Sequence, residues 1–549
     1  MSQHQEEIGP ASVAERNKAQ KQVVLYAISM ALGTFSSRIL GLLRDTALTG
    51  LFPKVVTDAW VVAFRLPNLF RRLLGEGSLS VSFIPIFVEA KADDEKSGGQ
   101  RAQNLVNSFY TLLLLFLTVF TAVGIIWMEP ILDLWLEAGY RNLPGGAFEL
   151  TVRFSRIMFG FIFLMSNFAF FMGILNALGK YALAAMAPVF FNIAMLMSTL
   201  LPGSLLPVEG DLLAWGVIFG GLLQAGILVP ALAKQGYLPK LNFNLKNPDA
   251  LRVLNNMLPG MLGTGLMQIT TIVSVKFTSG LSQGSLSYIY LADRLLELPL
   301  SLVSVSLGTA LLPTLSRMWT DNDKVGMRET ANYYLRLNCF VSIPAAIGLF
   351  FLASPIVHLL FQRGYFSQAD ADITAQIVRV YALVLIFSSY VRVLVPSFYA
   401  IKNTRFPPII SAVCLVAHIA LIQIFVDKLG VVGVATSILV STSLNAVLLT
   451  SFYGTFIGPL GFRKLFKSLG LFLIPSALMA GSLSIYWGFD SLILQYGVDN
   501  FLTRAVTLAI TIFIGMFVYG GVSYALKLEE FTTTFQTLSG KIRRRFKKA

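Results

Sequence analysis

Residues 57–77 read TDAWVVAFRLPNLFRRLLGEG, a largely apolar stretch that carries charged side chains at regular spacing. Asp58, Arg65 and Arg72 follow one another at intervals of seven residues, which places them on one face of a helix. Glu76 follows Arg72 by four residues and can pair with it. A charged residue at the centre of a membrane span costs about 2.5–3.5 kcal/mol, so charges at this density must face water or one another. The stretch therefore predicts a membrane helix whose polar face borders a cavity.

The segment before it has the same character. Residues 36–45 read SSRILGLLRD, in which Ser37 and Arg44 lie seven residues apart. Arg38 and Asp45 share that spacing, so each pair falls on one helical face. Two consecutive spans with charged faces are unusual for lipid-facing helices. We expect both helices to line the same cavity.

A similar pattern returns in the second half of the chain. Ser287 and Arg294 are seven residues apart, with Asp293 beside the arginine and Glu297 three residues beyond it. Because arginine presents a planar fork of donors that matches phosphate, arginines from both halves suit a diphosphate. The predicted substrate-binding residues are Arg38, Arg44, Arg71, Arg72 and Arg294. The predicted gating or cavity residues are Ser37, Asp45, Asp58, Glu76, Ser287, Asp293 and Glu297.

An alternative interpretation is that these charges only pair with one another and lock helices together. So many paired charges are a costly way to hold helices, which favours the cavity. Arg379 and Arg392 are further candidates for the cavity, because both fall inside an apolar span. Arg153 and Arg156 lie near the outer end of another span and can snorkel to the membrane surface.

The composition is that of a membrane protein. The chain has 549 residues, of which 55% are hydrophobic and only 13% charged. Its mean hydropathy is +0.69, whereas a soluble protein carries about 25% charged residues. The net charge of +14 does not indicate nucleic-acid binding, because the basic residues occupy short loops between apolar runs.

About fourteen apolar runs are long enough to cross a bilayer, which takes about 20 residues each. The candidate spans are 23–50, 56–90, 106–128, 149–178, 182–202, 212–233, 253–280, 284–315, 335–356, 371–400, 407–426, 430–454, 465–488 and 502–526. With these spans, the loops on one side hold most of the Lys and Arg outside the membrane. The positive-inside rule then predicts an inner-membrane protein with both termini in the cytoplasm.

The chain also repeats itself weakly at a nearly constant offset. Residues 32–34 recur as 262–264, Arg65-Leu66 recurs as Arg294-Leu295, and Pro85 recurs as Pro313. An even number of spans separates the related positions, which predicts parallel repeats. We therefore expect an all-α membrane protein with two parallel-repeat six-helix lobes around a central cavity, plus two extra C-terminal helices.

The predicted domain boundaries follow from this duplication. A cytoplasmic tail precedes the first lobe, a linker joins the lobes, and a basic tail ends the chain. The ranges are 1–22 for the first tail, 23–235 for the N-lobe, 236–252 for the linker, 253–456 for the C-lobe, 457–527 for the last two helices and 528–549 for the basic tail.

Nothing in the sequence indicates catalysis. There is no G-x-x-x-x-G-K-[ST] nucleotide motif and no Ser-His-Asp constellation. The two Cys and three His are scattered, so neither a metal site nor a cofactor is predicted. A transporter without a catalytic site is expected, driven by a gradient, by the membrane potential or by consumption of its product.

Several motifs closely resemble the MurJ (MviN) lipid II flippases of the multidrug/oligosaccharidyl-lipid/polysaccharide exporter superfamily. They are residues 36–45 and 57–77 quoted above, ADRLLELP at 292–299, SLGTALLP at 306–313, FQRGYF at 361–366 and FYAIKNTRFP at 398–407. The resemblance runs from about residue 24 to residue 526. It departs from the family in its long charged N-terminal tail.

The resemblance implies flipping of lipid II, the undecaprenyl-diphosphate-linked peptidoglycan precursor, from the inner to the outer leaflet by alternating access. It implies lipid II and membrane lipids as partners, with cell-wall synthesis proteins as further candidates. The family's cavity arginines fall on Arg38, Arg44, Arg71 and Arg294, and its serines on Ser37 and Ser287. The last two helices resemble those that form a groove for the prenyl tail.

Three other functions stay open from the sequence. A cation-coupled drug antiporter of the same fold would use acidic cavity residues, whereas arginines dominate here. A membrane scaffold without transport would have no use for a charged cavity. A flippase for another prenyl-linked sugar would share the arginines.

Overall fold

A computed structural model describes residue 33 and residues 36–73, 79–301, 306–497 and 499–533. Over these residues the chain is almost entirely helical, and within them no strand forms beyond an isolated bridge between Arg363 and Phe366. The described residues divide into two compact units. The first unit includes residues up to Trp135 and Arg141–Gln268, and the second includes Leu136–Tyr140 and residues from Ile269 onward.

Among its described residues, the first unit holds ten α-helices and the beginning of an eleventh. Helix α1 covers residues 36–51. The others are α2 (Lys54–Leu73), α3 (Leu79–Ser97), α4 (Arg101–Ile126), α5 (Met128–Trp135), α6 (Ala147–Phe159), α7 (Phe161–Ala177), α8 (Tyr181–Leu200), α9 (Asp211–Gly226), α10 (Val229–Lys234) and the start of α11 (Pro248–Ser279). Helices α6 and α7 together replace one predicted span, which is interrupted at Gly160.

The second unit holds the rest of α11 and the remaining helices. They are α12 (Ser285–Leu300), α13 (Ser306–Thr320), α14 (Lys324–Phe351), α15 (Ala353–Phe361), α16 (Gln368–Ala400), α17 (Phe406–Leu429), α18 (Val431–Phe456), α19 (Phe462–Leu483), α20 (Ile485–Gln495) and α21 (Phe501–Ala525). The division between the units falls inside α11. The predicted lobe boundaries stay a prediction.

Ten helical segments in the described part of the chain are long and apolar enough to cross a membrane. They match ten of the predicted spans, from the third to the sixth and from the ninth to the fourteenth. The other four predicted spans overlap α1, α2 with α3, α11, and α12 with α13. Those helices carry charged residues or adjoin residues outside the described ranges. A total of about fourteen spans is compatible with this architecture.

One helix begins well before the predicted span. Hydropathy predicts a span from residue 335, whereas α14 starts at Lys324. The Asp323 carboxylate accepts a hydrogen bond from the Gly326 backbone N–H at 2.8 Å and so caps the helix. Helix capping follows local polar chemistry, which a hydropathy window does not detect.

The predicted linker lies along α4. The backbone N–H of Lys240 donates to the Asn107 side chain at 2.8 Å, and that of Asn242 donates to the Thr111 hydroxyl at 2.8 Å. In addition, the Gln103 amide donates to the Leu238 carbonyl at 3.4 Å. Backbone N–H groups of the segment thus find hydrogen-bond acceptors on α4, a helix of the first unit.

An ionic cluster fixes the start of α11 within the first unit. Arg101 donates from Nε and Nη2 to the two carboxylate oxygens of Asp249, both at 2.8 Å. Arg252, one turn further along α11, donates to Glu89 of α3 at 3.0 Å. Meanwhile Asp94 accepts from the backbone N–H groups of Arg101 and Ala102, which caps α4. The end of α3, the start of α4 and the start of α11 therefore form one polar junction.

We expect Asp249→Asn to lower stability by about 1 kcal/mol at pH 7, since a bidentate ion pair is lost at a solvent-screened site. The hydrogen bonds from Arg101 lower the pKa of Asp249. A lowered pKa adds stability above the ordinary value of about 3.9, and that contribution is lost as the pH falls through the folded pKa. Melting temperatures of parent and variant in detergent should therefore converge in acid. The matched control is Glu95→Gln, which breaks an exposed pair with Lys91 and should change little.

Close packing at the turn between α17 and α18 depends on a glycine. A Cβ atom added at Gly433 would lie 2.1 Å from the backbone carbonyl oxygen of Phe425. Since backbone cannot rotate away as a side chain can, the two helix ends approach closely only while residue 433 has no side chain.

Gly433→Ala should therefore destabilise the protein by about 1–3 kcal/mol, the usual cost of overpacking. Gly454→Ala on the same helix is the matched control, because nothing lies within 4 Å of its added Cβ. That control should be neutral or up to about 1 kcal/mol more stable. Thermal unfolding in detergent measures both, and equal melting temperatures for the two variants would contradict this packing.

Candidate functional site

One of the arginines predicted to bind phosphate, Arg44 in the first unit, is buried. Arg44 of α1 is 3% exposed and Asp45 is 0% exposed. Arg44 donates to Asp45 Oδ1 from Nε at 2.9 Å and from Nη2 at 2.6 Å. A buried arginine is stable only when a partner compensates its charge, and Asp45 supplies that partner. The structure thus captures Arg44 with part of its donor fork occupied by a carboxylate.

Arg44 and Ser37 are joined through a residue of α8. Arg44 Nη1 lies 3.4 Å from Asn192 Oδ1, and Asn192 Nδ2 donates to the Ser37 hydroxyl at 2.9 Å. The predicted shared face of Ser37 and Arg44 is therefore present, with one amide contacting both. This chain of hydrogen bonds holds α1 against α8 at the position of the arginine.

Gly33, three residues before α1 begins, lies close to the backbone of α8. A Cβ atom added at Gly33 would lie 2.5 Å from the Ala185 carbonyl oxygen of α8. The absence of a side chain at residue 33 thus permits this close approach to α8.

Two aromatic rings of α2 cover the guanidinium of Arg44. Its central carbon lies 5.5 Å from the Trp60 ring centroid and 6.0 Å from that of Phe64. The two rings stack with centroids 4.9 Å apart, and both residues are buried. Cation–π contact partly replaces the water that Arg44 has lost.

The charged residues of α2 differ in exposure. Asp58 is 4% exposed, whereas Arg65, Arg71 and Arg72 are partly exposed. Arg71 donates from Nε to the Asn68 side chain at 2.8 Å. Arg38 on α1 is also partly exposed, and Glu76 lies outside the described residues. The first unit therefore offers a buried arginine and several accessible ones.

In the second unit, the predicted arginine is partly exposed. The side chain of Arg294 on α12 is 30% exposed and lies 3.4 Å from Glu297, which is 38% exposed. Arg294 Nη2 also donates to the Tyr290 hydroxyl at 2.8 Å, and its guanidinium carbon lies 4.8 Å from that ring's centroid. One turn of α12 thus orients the arginine and leaves part of its fork accessible.

The other two predicted residues of α12, Ser287 and Asp293, differ in how much of their surface is exposed. Ser287 is 3% exposed, while Asp293 is partly exposed. Next to Ser287, the Tyr288 hydroxyl donates to the Asp370 carboxylate of α16. That carboxylate also accepts from the Ser367 backbone and hydroxyl, forming a capping box at the start of α16. The N-terminal half of α12 is therefore held rigidly inside the second unit.

The neutral partners of Arg44 and Arg294 were not among the residues predicted from the sequence. Asn192 is a lone amide in an apolar run, PVFFNIAML at 188–196, and that isolation was a usable signal. Trp60 lies two residues after Asp58, and Tyr290 lies four residues before Arg294. Aromatic residues are so common in this chain that this proximity did not distinguish either one. Among the described residues, no group of three or more His, Cys, Asp or Glu is placed to hold a metal ion.

Comparison with known proteins gives consistent results. A family model described as lipid II flippase MurJ matches residues 47–507. A curated relative from Bdellovibrio bacteriovorus, named probable lipid II flippase MurJ, is 46% identical over 511 residues, covering 93% of this chain and 96% of the relative. The lipid II flippase MurJ of Burkholderia cenocepacia is 34% identical over 421 residues, covering 76% of this chain and 81% of that one.

Solved structures show the same relationship. A lipid II flippase MurJ in an inward closed conformation superposes with a TM-score of 0.73 at 25% identity, covering 91% of this chain and 99% of that one. An inward-facing multidrug resistance MATE family transporter of the MOP superfamily superposes with a TM-score of 0.62 at 14% identity, covering 77% and 95%. The second likeness concerns the fold alone.

Proposed function

The chain belongs to the lipid II flippase MurJ family, and from that membership we propose that it carries lipid II across the cytoplasmic membrane by alternating access. It is a multi-pass helical membrane protein of the transporter class. The substrate is the undecaprenyl-diphosphate-linked peptidoglycan precursor, moved from the inner to the outer leaflet for cell-wall synthesis. The substrate leaves unchanged, and no side chain acts as a catalyst.

The main support for this mechanism is the Arg44 cluster, formed by Arg44, Asp45, Asn192, Trp60 and Phe64. Its fork is held by Asp45 Oδ1, oriented by Asn192 and covered by Trp60 and Phe64. A carboxylate and a phosphate compete for the same planar donors. The diphosphate of lipid II would therefore displace Asp45 from Arg44 when the head group is bound. The carboxylate would return when the head group leaves, so that the buried charge is never left alone.

The accessible arginines would make the first contact. Arg38, Arg71 and Arg72 in the first unit and Arg294 in the second are partly exposed. We assign them to capture of the head group, with Glu297 holding Arg294 in place between cycles. Ser37, Asp58, Glu76, Ser287 and Asp293 are assigned to the cavity or its gates. The exposed arginines would also attract other anionic lipid head groups by charge alone. Arg44 would discriminate the diphosphate of lipid II from these other head groups.

The last helices are assigned to the prenyl tail. Helix α21 exposes large apolar side chains along its length, among them Phe513 (70% exposed) and Phe517 (82% exposed). Helix α19 exposes Leu473 (62% exposed) and Leu478 (53% exposed). Apolar surface of this kind is solvated by acyl chains, so the tail can stay in lipid while the head group crosses.

The loop charges predict that both termini lie in the cytoplasm. The cytoplasmic side of the membrane is electrically negative relative to the outside. Moving one elementary charge across a potential of 100 mV changes its free energy by about 2.3 kcal/mol. A membrane potential would therefore bias the return of the empty, arginine-rich cavity. Cell-wall synthesis enzymes that consume lipid II on the outer surface would complete the cycle. Flipping that ignores an imposed potential would rule out the electrical coupling but not the transport.

Complementation tests the substrate. The chain is expressed in a strain depleted of its own lipid II flippase, and growth and cell shape are scored. We expect rescue by the parent chain. Failure of a well-expressed, membrane-inserted parent would overturn lipid II as the substrate and favour another prenyl-linked sugar.

A further inference from the structure

A second polar site lies in the first unit, away from the Arg44 cluster. A cavity of about 630 Å³ is lined by residues of α5, α6 and α9 and by Arg141, which lies between α5 and α6. Its walls include Glu149, Arg153 and Arg156 of α6 and Trp215 of α9. In the proposed orientation α6 enters the membrane from the outer face, so the cavity opens at the level of the outer leaflet.

Most charges around the cavity are already paired. Arg153 donates to both carboxylate oxygens of Asp211, at 2.7 and 2.6 Å. Arg141 contacts Glu129 at 2.9 Å and Asp133 at 3.0 Å. These contacts leave Arg156 and Glu149, which form no ion pair with any side chain in the described part of the chain. One solvent-exposed cation and one solvent-exposed anion, neither of them in an ion pair within the described ranges, therefore share the same cavity.

The balance of charge disfavours an anionic ligand. The surrounding acidic groups outnumber the arginines, as Glu129, Asp133 and Asp211 already neutralise two of them and Glu149 adds a further negative charge. A ligand carrying both signs would instead satisfy Arg156 and Glu149 together. The site thus favours a zwitterion over a free anion.

The two charges occur in a definite order along α6. Glu149 lies in the first turn, at the aqueous end, and Arg156 lies in the last turn, deeper in the membrane. Seven residues of helix rise about 10 Å, and a long side chain leans toward the N-terminus of its helix, which brings the guanidinium toward Glu149. An anion would therefore bind below a cation, as the phosphate and ammonium of an aminophospholipid are ordered in the outer leaflet.

An apolar surface continues below the cavity. Trp215, Phe219 and Leu222 of α9 lie on one helical face and are 53%, 58% and 55% exposed. Tryptophan is enriched at the level of lipid head groups. Phe219 and Leu222 continue the same apolar face of α9 from Trp215 toward the bilayer interior. An acyl chain can lie along this face while its head group enters the cavity.

We propose that this cavity binds one zwitterionic aminophospholipid of the outer leaflet, with its phosphate on Arg156 and its ammonium on Glu149. The proposal requires the orientation given above but not the identity of the transported substrate. The bound lipid would seal the outer end of α6 against α9 in the bilayer.

Native mass spectrometry of the purified full-length protein in detergent tests the site. The probes are palmitoyl-oleoyl phosphatidylethanolamine, the matching phosphatidylglycerol and phosphatidylcholine, and free phosphoethanolamine. The variants are Arg156→Gln and Glu149→Gln, with Arg463→Gln and Glu329→Gln as exposed controls in the second unit. Adduct intensity against lipid concentration gives the apparent affinity.

We expect phosphatidylethanolamine to bind most tightly, and either cavity variant to weaken it about fivefold, the scale of one partly exposed charged contact. The controls should bind as the parent does. Free phosphoethanolamine should bind more weakly than the lipid, because it lacks the acyl contact. Equal binding of phosphatidylglycerol, or unchanged phosphatidylethanolamine binding in both cavity variants, would overturn the proposal. Binding of the free head group as strong as that of the lipid would likewise replace it with a soluble-ligand site.

Discussion

Arg44→Lys is expected to slow lipid II translocation at least about tenfold, even though it keeps the positive charge. Lysine is a point charge without the planar fork that contacts Asp45 and Asn192. A hydrogen bond to a charged group contributes about 1.5–3 kcal/mol, which corresponds to about 10–100-fold in rate. Arg44→Ala should lose about 100-fold or more. Translocation by the purified variant in vesicles, normalised to the amount of inserted protein, measures the loss.

Folding must be separated from transport, because Arg44→Ala leaves Asp45 buried without its arginine. Breaking a buried pair in this way costs about 3–5 kcal/mol. The double variant Arg44→Ala/Asp45→Asn removes both charges and should recover much of the stability. It should not recover transport. A stable double variant that flips at the parental rate would show that the pair only holds α1 in place.

Arg294→Gln is expected to lower the translocation rate about tenfold with little effect on stability. The side chain is 30% exposed and its pair with Glu297 spans 3.4 Å, so the fold draws little stability from it. Capture of the diphosphate would lose one charge-assisted contact. Arg363→Gln is the matched control, since Arg363 is exposed and lies outside the proposed cavity residues.

A further variant separates the role of charge from that of orientation. Tyr290→Phe keeps the ring below Arg294 and removes the hydroxyl that accepts its hydrogen bond at 2.8 Å. If orientation matters, this variant should raise the lipid II concentration needed for half-maximal transport. Parental transport by Arg294→Gln would exclude Arg294 from the substrate path.

The sequence predicted the spans and the charged helices because both follow from simple periodicity. Apolar runs of sufficient length predicted ten spans that form helices long and apolar enough to cross a membrane. The seven-residue spacing of Ser37 and Arg44 correctly predicted one face, which Asn192 connects. Both predictions depend on residues close together in the chain.

Contacts between distant segments were not predictable in the same way. The contact of Arg44 with Asn192 joins helices that are far apart in the sequence, and no periodicity relates them. The same holds for Arg101 with Asp249. Asp45 was not predicted as the partner of Arg44, because adjacent residues on a helix are about 100° apart and do not face each other. A flexible guanidinium can reach a carboxylate that the helical wheel places elsewhere.

Reconstituted flipping is the most direct measurement of the central claim. Parent, Arg44→Lys and Arg363→Gln are placed in vesicles with lipid II, and the fraction of head groups that becomes accessible on the opposite face is followed over time. We expect rapid exposure with the parent and the Arg363 variant, and at least about tenfold slower exposure with Arg44→Lys. Equal rates for all three proteins, or no exposure above empty vesicles with the folded parent, would contradict a lipid II flippase that works through a buried arginine.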